Sequence, residues 1–513
     1  MSLPTFLKQL ACLVVIGLGA DIGAWAQQKP KDPEKPKAPE QTLRAEFESD
    51  SFEEEHIVHP LPDSTILVVT LDKHSWFSKS HIKFTRFSKT LTPLWTKEEE
   101  YQDGTDFHKI TSDGTNTFLL FTTRERKKLL LYQLNNTTGA ITNTTHVLPT
   151  AFIYVNEIAA SQGKVFLSAV ENYNINILLI DPAVEECRLL PAVFGQEDDL
   201  GEFRVDTLTH AAEFLVSETN NYRSRVQVKR MNPKGEVLGT YFLPPRIDFS
   251  TDTNIQDGRL APGDTLSKLV LGTFGYRETT FARGVYSSDL AGNLKFYDFS
   301  KFDRFFDHLS LRQQRRMKAK FARREKQGKP LVLRYRLLLH PVLPHPQGYA
   351  LVGEVYYPQY RQNSYYNNFD PRYNTSNTYP RRNYDGFRFT HAIVCVFDKQ
   401  GNLLWDNNYK LEGKTYADLA PTVEAGVAPD GQVALLYPDE DELKFKRLVQ
   451  GVSMTNNEEF EVRIQETDEK RLDSNSEGVV HWYGGNFIAF GFQRIRPKEG
   501  KARTVFYLQN LAF

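Results

Sequence analysis

At 513 residues the chain is too long for one compact core of ordinary size, so it holds either several domains or an array of repeats. Its 63 Lys and Arg nearly balance 64 Asp and Glu, giving a net charge of -1. That balance excludes a chain-wide attraction to a polyanion, and no nucleic-acid partner is expected. Three cysteines exclude a disulfide scaffold.

The chain opens with Lys8, an apolar run from Leu10 to Ala20, and Ala24-Trp25-Ala26 before Gln27. This is the order of a secretory signal ending in a small-x-small cleavage site, so residues 1–26 are expected to be removed after Ala26. The run is shorter than the ~20 residues a membrane-spanning helix needs. Residues 27–41, "QQKPKDPEKPKAPEQ", are rich in Pro and Lys and read as a flexible linker with nothing to bury. No later run is apolar enough to span a bilayer, so no membrane span is expected and the mature chain reads as a soluble exported protein, whether periplasmic, cell-surface or secreted.

Beyond the linker, eight short apolar segments recur: "STILVVTLD" from Ser64, "TNTFLLFTTR" from Thr115, "GKVFLSAVEN" from Gly163, "AAEFLVSETN" from Ala211, "LSKLVLGTFG" from Leu266, "GYALVGEVYY" from Gly348, "GQVALLYPDE" from Gly431 and "GNFIAFGFQR" from Gly485. Each reads as a buried strand between turn signals. Most are followed by a hairpin whose turn holds Gly, Asn or Asp, such as "VKRMNPKGEVLG" and "VFDKQGNLLWDN", giving about four strands per repeat. The spacing is roughly fifty residues, the period of a propeller blade. The expected fold is therefore all-β, an eight-bladed β-propeller spanning 42–513; seven blades and a pair of β-sandwiches are the alternatives. The last repeat lacks a fourth strand, while "TLRAEFES" from Thr42 is a strand without a repeat. Their pairing would close the ring.

The hairpin Asp398-x-x-Gly401-x-x-Leu404-Trp405 resembles one repeat of the quinoprotein-type β-propellers. The resemblance implies the propeller fold and, if extended, a redox role. The other blades mostly lack the tryptophan, since the mature chain has only Trp76, Trp95, Trp405 and Trp482. No cofactor is therefore expected.

Two insertions interrupt the ruler. Residues 301–327 place Phe302, Phe305, Phe306, Leu309, Met317 and Phe321 at helical spacing among many basic residues, and read as an amphipathic basic helix docked on the propeller. Residues 360–388 form a loop rich in Tyr, Asn and Arg, the composition of a recognition surface. In a four-stranded meander the loop between the second and third strands shares a face with the link to the next blade, so both insertions rise from one face. Tyr365, Tyr366, Arg372, Tyr373, Tyr379, Arg381, Arg382 and Tyr384 are the binding candidates on the loop, with Arg315, Arg316, Arg323 and Arg324 on the helix.

Catalytic signals are sparse. His56 with His59, and His340 with His345, lack a further ligand at metal spacing, and "DTNIQDG" from Asp252 departs from a calcium loop, so no metal is expected. Glu197, Asp198, Asp199 and Glu202 could offer paired carboxylates to a central funnel. The resulting expectation is an exported, non-catalytic propeller that binds a protein or glycan at the cell envelope. The alternative is a polysaccharide hydrolase or lyase using funnel carboxylates.

Overall fold

A computed structural model describes residues 38–513 except 50–53, 73–80, 102–103, 124–126, 150–153, 172–173, 191–199, 221–222, 244–252, 264–267, 277–279, 329–332, 363–381, 412, 414, 440–441, 451–457 and 465–468. The eight apolar segments are the second strands of eight antiparallel sheets arranged as an eight-bladed β-propeller. Blade 1, for example, runs Glu54–Pro60, Ile66–Asp72, His81–Phe87, Pro93–Glu100, and its second strand carries Ile66 to Leu71 with almost no exposed surface. Second strands are covered on both sides because each blade packs on two neighbours, which is why they read as unbroken apolar runs and not as an alternating pattern.

The ring closes as the orphan strand requires. Glu40–Glu48 pairs antiparallel with Arg503–Ala512, completing a sheet whose other strands are Lys470–Tyr483 and Asn486–Arg496. Phe47 then meets Phe506 at 5.5 Å and His56 of blade 1 at 5.5 Å. The chain's two ends thus cover edges that would otherwise offer unpaired backbone groups.

Blade 6 is the irregular one. Its inner edge is split into Arg336–Leu339 and Leu343–His345, both paired with Gly348–Gln362. Its central hairpin, Gly348–Gln362 with Arg382–Asp398, outgrows the other blades, and Thr415–Tyr416 adds a short strand against Phe387 and Arg388. The quinoprotein-like turn sits at its other end: Asp398 accepts from the backbone N–H of Gln400 and Asn402, and Gly401 takes φ 76°.

The first insertion differs from the helix expected over 301–327. Phe302, Phe305 and Phe306 precede the helix and are buried in a cluster with Phe299, Leu339, Ile393 and Cys395. Phe299 and Phe305 stack at 4.1 Å, and Asp406 accepts from the backbone N–H of Asp303 and Arg304 at 2.9 Å each. These contacts hold the phenylalanines in an irregular turn. The helix begins only at Leu311, where Ser310 and Gln313 form a reciprocal capping box, and runs to Lys326. Only Met317 and Phe321 of this helix pack on the cluster.

Cys187 lies in blade 3 and Cys395 in blade 6, and both are free thiols.

Candidate functional site

The link from blade 6 to blade 7 is held by one buried carboxylate. Glu354 sits in the second strand of blade 6 with 0% exposure. Its Oε1 accepts from the Thr422 N–H at 2.8 Å and the Val423 N–H at 3.2 Å, and lies 2.7 Å from His340 Nε2; its Oε2 accepts from the Thr422 hydroxyl. A buried carboxylate needs such donors, and here they fix where the link runs.

The pinned link forms one wall of a cleft of about 540 Å³. Tyr416, Asp418, Thr422 and Glu424 come from the link and the start of blade 7, Pro438 from the end of that blade's second strand, and Asn475 from the inner strand of blade 8. The cleft therefore opens on the face that carries both insertions, since links and second-to-third-strand loops share it.

Glu424 opens the inner strand Glu424–Val427, and its Oε2 accepts from the backbone N–H of His481 at 3.2 Å. Burial pushes its carboxyl pKa above the ordinary value and the nearby Glu354 charge adds to this, while the His481 N–H and His340 oppose it. The strands approach closely enough that a Cβ on Gly426 would lie 2.6 Å from His481 Cδ2, so this position requires glycine. Burial also raises the Tyr416 hydroxyl, with Glu354 adding to the effect, so the phenol keeps its proton and remains a donor. Asp418 is exposed at the rim. The cleft thus combines a carboxyl favoured in its protonated form, a phenol and a solvated carboxyl, the elements of acid–base chemistry.

Other titratable clusters are structural. Lys268 bonds Asp206 at 2.8 Å and also Glu213, which accepts from Arg230 and Arg204, stapling blades 4 and 5. Glu202 is buried and accepts from the Leu260 N–H at 2.6 Å. Its partners in the expected carboxylate cluster, Glu197, Asp198 and Asp199, lie outside the described residues, as does Asp252, and Thr253–Leu260 is a strand and not a metal loop. His56 bonds Ser49 and Thr70, His340 faces Glu354 and His345 meets the Gly431 carbonyl at 2.9 Å. Among the described residues no group of three or more His, Cys, Asp or Glu is placed to hold a metal ion.

Of the binding candidates, Tyr365, Tyr366, Arg372, Tyr373, Tyr379 and Arg381 lie outside the described residues. Arg382 and Tyr384 lie in the long third strand of blade 6. Arg315, Arg316 and Arg323 are exposed on the helix and Arg324 is half-buried. Among the described residues no hydrogen bond or ion pair joins that helix to the hairpin. The residues of the cleft escaped the sequence reading because "YADLAPTVEAG" carries no motif. The one usable signal was a Glu placed at the first position of an inner strand.

No family model matches the chain, and no curated protein matches it in sequence. Solved structures do. They include a tryptophan-to-alanine variant of Synechocystis apocarotenoid oxygenase, at 11% identity and TM-score 0.30 over 46% of this chain and 58% of that one. An ACO/RPE65 chimera follows at 10% and 0.31 over 46% and 60%, and cobalt-substituted Synechocystis ACO at 10% and 0.30 over 46% and 58%. The chain thus spans about three fifths of the length of these proteins. These neighbours are oxygenases and not non-catalytic binding propellers, so the expectation of a non-catalytic binder is set aside. At this level of similarity they assign no activity, substrate or metal to this chain, and the functional reading rests on its own residues.

Proposed function

We propose that the chain is an enzyme that runs acid–base chemistry in the cleft between the blade 6–7 link and blade 8, with Glu424 as proton donor. The observation that carries this reading is a half-buried carboxyl of raised pKa on the wall of a cleft of about 540 Å³. That volume suits a small molecule or one end of a larger one. A protonated Glu424 gives its proton to the oxygen of a departing group, while Tyr416 donates a hydrogen bond to the same substrate. Asp418 at the rim takes a proton from the water that replaces the departing group. The sum is a hydrolysis, and the cycle closes when Asp418 gives its proton to solvent and Glu424 takes one back.

Export after cleavage near Ala26 belongs to the same proposal. It is supported by Lys8, the apolar run Leu10 to Ala20 and the Ala24-Trp25-Ala26 pattern. Among the described residues no helix is long and apolar enough to cross a membrane.

The test is a hydrolysis screen with paired ester, phosphate and glycoside probes carrying good and poor leaving groups, run on the full chain and on Glu424→Gln. General acid catalysis is worth about a hundredfold or more, and the loss should fall mainly on the poor leaving groups. Turnover that survives unchanged in Glu424→Gln defeats the proposal.

A further inference from the structure

A strongly basic surface lies on the helix of the first insertion, on the face that also carries the cleft. The helix Leu311–Lys326 carries Arg312, Arg315, Arg316, Lys318, Lys320, Arg323, Arg324 and Lys326 against the single acid Glu325, a net of +7. The whole chain is -1, so the remainder is -8. No residue of the helix is buried, and only Gln314, Met317, Phe321 and Arg324 are half-buried, forming the stripe that faces the propeller. Among the described residues none of the eight cations has an ion pair. A charge run on a surface helix is usually interleaved with acids at i,i+4, which this one lacks.

We propose that this helix docks the protein on an anionic lipid surface. Three observations favour a bilayer over other polyanions. The helix is a rod of about 24 Å, set by sixteen residues at ~1.5 Å each, and its cations cover its whole outward half. The net negative charge elsewhere is repelled by the same surface, so only one side of the protein can approach, which suits a plane and not a polymer that wraps. Leu311, 73% exposed at the start of the helix beside Arg312 and Arg315, supplies an apolar tip that can sit between headgroups. An acidic protein partner is disfavoured because the outward face has no aromatic anchor. The helix itself is held firmly by its capping box and by the Phe306–Phe321 contact at 5.7 Å, so binding does not have to order it. Arg315, Arg316 and Arg323 thereby become membrane-contact residues.

The experiment is co-sedimentation of the full chain with vesicles of phosphatidylcholine alone and vesicles that also contain phosphatidylserine. Binding to the anionic vesicles only, weakened by added salt, is expected. Each cation contributes about fivefold, so the variant R315Q/R316Q/R323Q should bind about a hundredfold more weakly. A second variant, K318Q/K320Q/K326Q, should lose a comparable amount, with Leu311→Ser weakening binding at high salt. Equal binding to both vesicle types, or variants that bind as the parent does, overturns the proposal. So does tighter binding to heparin or duplex DNA than to anionic vesicles at the same salt, which would assign the helix to a polymer.

Discussion

Replacing Glu354 by Ala is the sharpest perturbation of the arrangement that positions the cleft. The carboxylate has no exposure and accepts from two backbone N–H groups and a hydroxyl of the link, with His340 at 2.7 Å. Truncation leaves these donors enclosed without an acceptor. Each net hydrogen bond to a charged group is worth about 1.5–3 kcal/mol, but the link can relax toward solvent and recover part of that. The expected loss is therefore about 3–5 kcal/mol, in the range seen when one partner of a buried polar network is removed. Glu354→Gln keeps the shape and one acceptor, and should lose about half as much. Thr422→Val removes only the hydroxyl and should cost about 1 kcal/mol. Urea unfolding followed by tryptophan fluorescence measures all three. A loss below about 1 kcal/mol for Glu354→Ala would show that the link is held by something else, and the account of the cleft wall would fail.

Two further outcomes concern the ring and its first insertion. His308 and His391 stack at 3.6 Å; burial lowers His308 to about 4 and His391 well below its ordinary value, and His308 feels Asp307 and Lys410. Their unfolded forms take up protons first, so stability should fall as pH drops from about 6.5 through about 4, by about 3 kcal/mol from His308 alone, and His391→Phe should shrink that fall in pH-dependent unfolding curves. Deleting residues 28–37 should leave the melting temperature unchanged, whereas deletion through Ser49 should lower it by about 5 °C or more because the edge of Arg503–Ala512 is then bare. Equal melting temperatures for the two truncations would count against closure by the N-terminal strand.

The ring was legible because its signal is repeated and local. A strand covered on both faces must be apolar along its length, so "ILVVTLD" and its seven counterparts mark their own positions, and the unmatched strand near Thr42 had one place to go. The insertion was half legible. Phe302, Phe305 and Phe306 have helical spacing, yet Asp406, a hundred residues later, captures the Asp303 and Arg304 N–H groups and holds the segment in a turn. The cleft was not legible, because its chemistry comes from burial. In sequence only its place at the start of an inner strand marks Glu424; the His481 N–H that it accepts comes from the neighbouring blade. Likewise His340 was read beside His345, but its partner is Glu354, fixed by strand register across the split inner edge.

The central claim is that the Glu424 carboxyl is held in its protonated form more strongly than an ordinary glutamate. Isotope-edited infrared titration of labelled glutamate, comparing the parent chain with Glu424→Gln, reads that carboxyl directly. The account predicts a band, lost in the variant, that titrates clearly above the ordinary glutamate value of about 4.3. A Glu424 signal that titrates at or below that value contradicts it.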